Sequence, residues 1–94
     1  MGAEPKSILV LARRDHGEAM RVAAGLTIFG HAVRLVFMAE PVAETTANAE
    51  LAELLQLSDI TPETTLAEMA DALALLDAPA LGAAIAASDR VISI

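Results

Sequence analysis

The chain has 94 residues, of which 55% are hydrophobic and only two, Phe29 and Phe37, are aromatic, and its formal net charge is −7. A chain of this length holds one domain, predicted over residues 1–94, and buries only about 60–65% of the surface that its unfolded form exposes. The six lysines and arginines form no basic stripe, which argues against a nucleic-acid partner. Because the chain has no cysteine, disulfides, thiolate metal sites and thiol nucleophiles are excluded.

The distribution of apolar residues bears on location and assembly. No apolar run reaches the roughly 18 residues that a membrane span requires, and residues 1–5 lack the basic start and apolar stretch of a secretory signal. We therefore predict a cytoplasmic protein with no membrane partner. The apolar fraction exceeds what a small monomer needs, so we also expect a homo-oligomer whose apolar helices contact another subunit.

The N-terminal part of the chain has the pattern of a β-α-β unit. Residues 7–12 are a continuous apolar run rich in branched side chains, which is typical of a parallel strand buried on both faces. Asp15 is a suitable N-cap and Glu18 completes a capping box, so a helix is predicted from there to Gly30. This helix is apolar around most of its circumference, which predicts packing against the sheet on one side and another partner on its outer side. Residues 32–38 form a second buried strand, which implies a right-handed parallel crossover.

The middle of the chain has weaker signals. The segment from Thr45 or Asn48 to Leu57 has the apolar spacing of an amphipathic surface helix. Residues 58–64 are predicted to form a loop that permits a short edge strand, because Pro62 does not fit a central strand.

Further elements are predicted in the C-terminal part. Thr65 and Glu68 form a second capping box, which predicts a helix whose inward side chains are Leu66, Met69, Leu73 and Leu76. A short alanine-rich helix begins after Asp77, with Pro79 in its first turn, and residues 90–94 form a last strand. Together these elements predict an α/β fold, a three-layer Rossmann-like or flavodoxin-like domain with a small, mainly parallel sheet of about four strands.

Several segments resemble the DsrE/DsrF-like family of small sulfur-relay proteins. They are ILVL at residues 8–11, AMRVAAGL at 19–26, FGHAV at 29–33, VFM at 36–38 and ASDRVISI at 87–94. The resemblance implies a Rossmann-like three-layer domain that associates into dimers, trimers or hexamers. Active members of that family pass sulfur on a cysteine carried by a loop after a central strand.

This chain departs from the family pattern in its chemistry. It contains no cysteine, and the family's usual third strand and cysteine loop are shortened into the acidic helix around residues 44–57. The resemblance therefore implies a cysteine-free, divergent or non-catalytic member that works beside a cysteine-bearing relay partner.

Candidate ligand-binding residues lie where two predicted strands end. Ligands of open parallel α/β sheets bind beyond the carboxyl ends of the strands. At that edge the sequence places Arg13, Arg14, Asp15, His16, Gly17 and Glu40. Two permanent cations, a histidine and free amides at a helix start suit a small anion such as phosphate, sulfate or a carboxylate. The loop lacks the glycine spacing of a dinucleotide or Walker loop.

The same residues also fit a purely structural role. In that interpretation Asp15 caps the helix, the arginines are solvated or pair with Asp15 and Glu18, and His16 is exposed. An acid–base pair of His16 with Glu18 or Glu40 is the catalytic alternative, but no nucleophile accompanies it, so no catalytic residue is predicted. Met20 and Met69 have the spacing of helical core residues and Met38 lies at a strand end, while the acidic residues lack the alternation of a calcium loop. We therefore predict neither a metal site nor a cofactor.

Two hypotheses for function follow. The first is a small oligomeric DsrE/DsrF-like protein, related to sulfur relay, that acts through subunit association and is not an enzyme. The alternative is a domain that binds a small anion or a nucleotide fragment through the loop at residues 13–18.

Overall fold

The fold is built on one parallel β-sheet, seen in a computed structural model that describes residues 5–94. The prediction that residues 1–5 lack the features of a secretory signal falls mainly on residues 1–4, which lie outside the described residues. In chain order the elements are β1 (Ser7–Ala12), α1 (His16–Ile28), β2 (Ala32–Phe37), α2 (Thr46–Leu57), β3 (Glu63–Thr64), a 3₁₀ turn (Ala67–Met69), β4 (Ala74–Leu75), α3 (Ala78–Ala87) and β5 (Arg90–Ser93). The sheet order is β4-β3-β2-β1-β5, and every pair is parallel. The predicted α/β fold is confirmed, with five strands in place of about four.

Two apolar strands form the centre of the sheet. β1 and β2 pair along their whole length, from Ser7 beside Ala32 to Ala12 beside Phe37. Every residue of β1 after Ser7 is buried, as the continuous apolar run predicted.

Alternate side chains of these strands enter two separate apolar clusters. Val10 and Leu35 belong to the cluster under α1 and α2, whereas Leu9 and Val36 pack with Ala84 of α3 on the opposite face. The chain steps from β1 to β4 in one direction and then crosses back through α3 to β5. Because such crossovers are right-handed, this reversal places α3 on the other side of the sheet, which gives three layers.

The C-terminus of α1 ends in a Schellman motif. The Gly30 amide donates to the Thr27 carbonyl at 2.9 Å and the His31 amide to the Leu26 carbonyl at 3.3 Å. Gly30 has a φ of 88°, a conformation that favours glycine, so the predicted stop of the helix is confirmed.

The C-terminus of α2 ends in the same motif without a glycine. Asp59 takes the left-handed position with a φ of 58° and donates its amide to Gln56, while the Ile60 amide donates to the Leu55 carbonyl at 2.9 Å. Ile60 and Leu55 are both buried, which is the apolar contact that accompanies this motif. The motif turns the chain from α2 toward the sheet.

The segment after α2 differs from the prediction. β3 is not an edge strand, because it pairs with β2 on one side and with β4 on the other. Pro62 directly precedes it, and a proline is tolerated at the start of a strand because it then interrupts no ladder hydrogen bond. On the α3 side of the sheet Glu63 accepts two hydrogen bonds from Arg34, at 2.9 and 2.8 Å. These bonds raise the pKa of the Arg34 guanidinium above its ordinary value, against the lowering effect of partial burial.

The prediction of a helix that begins at Thr65 and Glu68 is wrong. In its place the chain forms the short 3₁₀ turn and returns to the sheet as β4. The buried Thr64 hydroxyl, not Thr65, accepts the hydrogen bond from the Leu66 amide, at 3.0 Å. The Leu76 amide donates to the Thr64 carbonyl at 2.8 Å, which ties the chain back to β3.

The outer side of α1 is only partly covered. α2 packs beside it, but Ile28 at its C-terminus is 78% exposed. Among the helices of residues 5–94, none has both the length and the apolar character needed to cross a membrane.

Candidate functional site

The predicted ligand edge lies at the point where the strand order reverses. β1 lies between β2 and β5, and the helices that follow β1 and precede β5 lie on opposite faces. Open α/β sheets bind ligands in the crevice at such a point. The loop after β1 therefore lies at the position where open α/β sheets usually bind their ligands.

The first two backbone amides of this loop are already occupied. The amides of Arg13 and Arg14 both donate to the Ile94 carbonyl oxygen, at 2.7 and 2.8 Å. The guanidinium groups of the two residues are exposed, and within residues 5–94 neither forms an ion pair. The amides of Asp15, His16 and Gly17 donate no hydrogen bond within residues 5–94, so the loop offers an anion these amides as well as the arginine side chains.

Asp15 occupies the start of α1. Its Oδ1 accepts from the Glu18 amide at 3.0 Å and its carbonyl from the Ala19 amide at 3.0 Å, which confirms the predicted N-cap. The Glu18 side chain pairs with Arg21 and does not return to the Asp15 amide as a full capping box requires. A carboxylate at the helix start competes with an incoming anion for the same positive end of the helix dipole.

His16 is buried, at 7% exposure, which corrects the interpretation that placed it on the surface. Its Nε2 lies 3.1 Å from the Met38 carbonyl, and its ring meets Phe37 edge to face at 5.7 Å. Since a carbonyl only accepts, Nε2 carries the proton and donates it. His16 thus joins the start of α1 to the end of β2.

No acid–base pair forms around this histidine in the described part of the chain. Glu18 is engaged by Arg21, and Glu40 is exposed, with its backbone amide donating to the Met38 carbonyl at 2.9 Å. Residue 39 lies at the centre of this tight γ-turn with a φ of 73°, a strained conformation for alanine. The Met38 carbonyl therefore accepts from both His16 and Glu40, which holds the loop after β2 against α1.

Gly17 has a packing role. A Cβ at this position would stand 3.2 Å from Asn48 Oδ1 and 3.7 Å from Leu51 Cδ1. The first turns of α1 and α2 approach each other closely here, and a side chain at this position would require Asn48 to shift by a few tenths of an ångström. The six candidate residues thus lie around one edge of the sheet, but three of them, Asp15, His16 and Gly17, make contacts that hold the fold together.

Within residues 5–94, two of the concave regions were not indicated by the sequence. One is an open depression of about 480 Å³ around the start of α2, with Glu44 and Thr45 in its wall. The other is a partly open cavity of about 300 Å³ beneath α2, and its wall includes the exposed residues Ala52, Gln56 and Ala72. We call it the α2 cavity; it is lined by Met20, Phe37, Val42, Asn48, Ala52, Leu55, Gln56, Ile60, Pro62, Met69, Ala72 and Leu73.

The α2 cavity was missed for a physical reason. Met69 and Leu73 were assigned to the inner face of a helix, which would have filled this space. The structure has a 3₁₀ turn there, and the space stays open. No sequence pattern marks the α2 cavity directly. It follows only from the failure of the helix prediction.

Within residues 5–94, no group of three or more histidine, aspartate or glutamate side chains is placed to hold a metal ion.

Comparison with known proteins adds no assignment. No family model matches the chain, and no curated protein or solved structure is significantly similar to it. Function is therefore argued from the residues and their geometry.

Proposed function

We propose that this protein is a small, cytoplasmic DsrE/DsrF-like subunit that forms a homo-oligomer and acts through association, without covalent catalysis of its own. One observation carries the proposal. Three large apolar side chains at the C-terminal ends of α1 and α2 point into solvent: Ile28, Phe29 and Leu57 are 78%, 81% and 85% exposed. Exposed apolar groups concentrated in one region mark contact surfaces.

These three side chains lie at one end of the same helical layer. α1 and α2 each lead from one parallel strand to the next on the same face of the sheet, so they run in the same direction. Gly17 packs beside Asn48 and Leu51, which places the first turns of the two helices side by side. The two C-termini therefore come to the same edge, and we call Ile28, Phe29 and Leu57 the helix-end surface.

The helix-end surface is large enough to support association. Burying one large aliphatic or aromatic side chain contributes about 1.5–3 kcal/mol. A two-fold symmetric interface uses the same surface twice. The total for three such side chains on each of two subunits is of the order of the roughly 4–15 kcal/mol that association costs in lost translational and rotational freedom.

The absence of cysteine from the sequence limits the role that this chain can have in sulfur relay. A thiolate is the group that accepts and passes sulfur in the family that the chain resembles. In this proposal any sulfur relay depends on a partner that carries the cysteine, and the present chain contributes assembly and positioning.

Native mass spectrometry and light scattering at micromolar concentration test the proposal. We expect a multimer for the unchanged chain and a monomer for the double variant Phe29→Ser, Leu57→Ser. Ile85→Ser is the control, since Ile85 is a 42% exposed side chain on α3, in the opposite layer, and its variant should keep the multimer. A monomeric unchanged chain would rule out association as its function.

The second candidate is an anion-binding domain, and the exposed, unpaired guanidinium groups of Arg13 and Arg14 at the strand-order reversal favour it. A thermal unfolding series with inorganic phosphate separates the two functions. Under this alternative phosphate raises the melting temperature, and the double variant Arg13→Ala, Arg14→Ala loses that rise. Under the association proposal the double variant keeps the native mass and phosphate has no effect on either protein.

A further inference from the structure

The α2 cavity has the dimensions and the lining of a small-molecule site. Its volume of about 300 Å³ stands at the lower end of the range for ligand pockets. Phe37 of the sheet, Leu55 of α2 and Leu73 beyond the 3₁₀ turn lie on different sides of it. We propose that this cavity binds a neutral, elongated, mostly apolar molecule that carries one hydroxyl or amide group.

The cavity exists because one crossover of the sheet lacks a helix. Both faces of a parallel sheet are normally covered by helices, yet the connection from β3 to β4 contains only the turn Ala67–Met69. Met69 and Leu73 are half-buried and fill the space only in part. Since protein interiors are packed about as densely as organic crystals, the apolar wall atoms lack contacts that an apolar occupant would supply.

The lining selects a neutral ligand. None of the twelve lining residues is charged. A carboxylate or ammonium group held against this apolar lining would lose part of its hydration without gaining a partner, which is unfavourable. The chain's net charge of −7 adds repulsion against an anionic ligand.

Two amide side chains, Asn48 and Gln56, belong to the otherwise apolar lining. Asn48 is already held in place, because its Nδ2 donates to the Ala43 carbonyl at 2.9 Å. Gln56 makes no side-chain hydrogen bond within residues 5–94, so its amide is free to bind a hydroxyl or amide of the ligand. The spacing of these two residues on α2 corresponds to about 12 Å at ~1.5 Å per residue, so the ligand is elongated.

The volume limits the ligand to about ten non-hydrogen atoms, if each takes up roughly the ~30 Å³ of a water molecule. A medium-chain alcohol satisfies the size, the shape and the single polar group. We therefore choose 1-octanol as the probe and octanoate as its charged counterpart.

Amide-detected NMR titration of the full chain tests the proposal. We expect 1-octanol to shift the signals of lining residues saturably, at one molecule per chain and with a dissociation constant below about 1 mM. Octanoate should bind at least about tenfold more weakly because its charge is unpaired in the cavity. Equal binding of the two ligands, or no saturable shift with 1-octanol, would overturn the proposal.

Variants locate the binding site. Ala52→Leu narrows the cavity from α2 and Leu73→Phe fills it from the opposite wall, so each should weaken 1-octanol binding at least about tenfold. Ala47→Leu makes the same change on α2 outside the lining and should bind as the unchanged chain does. Gln56→Leu should weaken binding of 1-octanol but not of toluene, which offers no hydrogen bond.

The mass of each variant is measured alongside its binding. Loss of the multimer in Ala52→Leu would mean that a second copy of the chain fills the cavity, and that result would overturn the small-molecule proposal. Conversely, a monomer that binds 1-octanol would refute association and leave the ligand site intact.

Discussion

Thr64 is a fully buried polar side chain that fastens β3 to its neighbours. Its hydroxyl donates to the Phe37 carbonyl at 3.0 Å and accepts from the Leu66 amide at 3.0 Å. Replacement by valine keeps the shape but removes both bonds. The Phe37 carbonyl still accepts from the Thr65 amide at 3.1 Å, whereas the Leu66 amide loses its acceptor. Leaving such a partly buried donor unsatisfied costs about 1–2 kcal/mol, so Thr64→Val should lower the free energy of unfolding by that amount.

Urea denaturation followed by circular dichroism measures this loss. We expect an unchanged denaturant slope and a lower midpoint, together with a fall in melting temperature of roughly 5–15 °C for a domain of this size. Thr65→Val is the matched control, since the Thr65 side chain makes no hydrogen bond in the described part of the chain, and it should change stability by less than about 0.5 kcal/mol. A costly Thr65→Val beside a harmless Thr64→Val would refute the reasoning and restore the capping box that the sequence predicted.

Three further changes test other contacts, each by urea denaturation. Gly30→Ala should cost about 1 kcal/mol from backbone strain alone, because no atom lies within 4 Å of the added methyl group; full stability would mean that this turn is not left-handed. Asp59→Val should cost about 1–2 kcal/mol, as a β-branched residue disfavours a positive φ, whereas Asp59→Gly should not destabilise. Glu63→Gln should cost about 0.5–1 kcal/mol at low salt, because Arg34 is nearly half exposed, and less in concentrated NaCl; a loss that is independent of salt would argue against the ion pair.

The Arg34–Glu63 pair also sets an expectation for pH. The hydrogen bonds to Glu63 raise the pKa of Arg34, so this group's contribution to stability is complete below its unfolded-state pKa and is lost only as the pH rises through the higher folded-state value. Stability measured from neutral to moderately alkaline pH should therefore show no loss from Arg34. A decline of stability over that range that is absent from Arg34→Gln would contradict the assignment.

Local signals predicted the elements whose causes are local. Asp15 and Thr45 cap α1 and α2, and each side chain accepts a hydrogen bond from an amide three residues further on. The same holds for Asp77 at the start of α3. The continuous apolar run predicted β1, because a strand buried on both faces needs apolar side chains at every position. β2 was predicted as a buried strand too, but only Leu35, Val36 and Phe37 are buried, whereas Ala32 and Arg34 are exposed.

The candidate site was predicted by position but not by role. Knowing where parallel strands end placed Arg13, Asp15, His16 and Glu40 around one edge of the sheet. What each group does there depends on residues distant in sequence: the Ile94 carbonyl accepts from the amides of Arg13 and Arg14, and the Met38 carbonyl accepts from the His16 ring. Such partners leave no trace in the spacing of the loop itself.

The sequence by itself determined the three-layer α/β architecture, its central strands and its helix ends, since these follow from periodicity and from capping side chains within one turn. Only the tertiary structure decided the fate of residues 58–76. β3 and β4 have two residues each, too few to show a period, and they exist because the edge of β2 offers unpaired backbone groups that the chain must satisfy. That non-local pairing displaced the helix predicted at Thr65 and left the α2 cavity in its place.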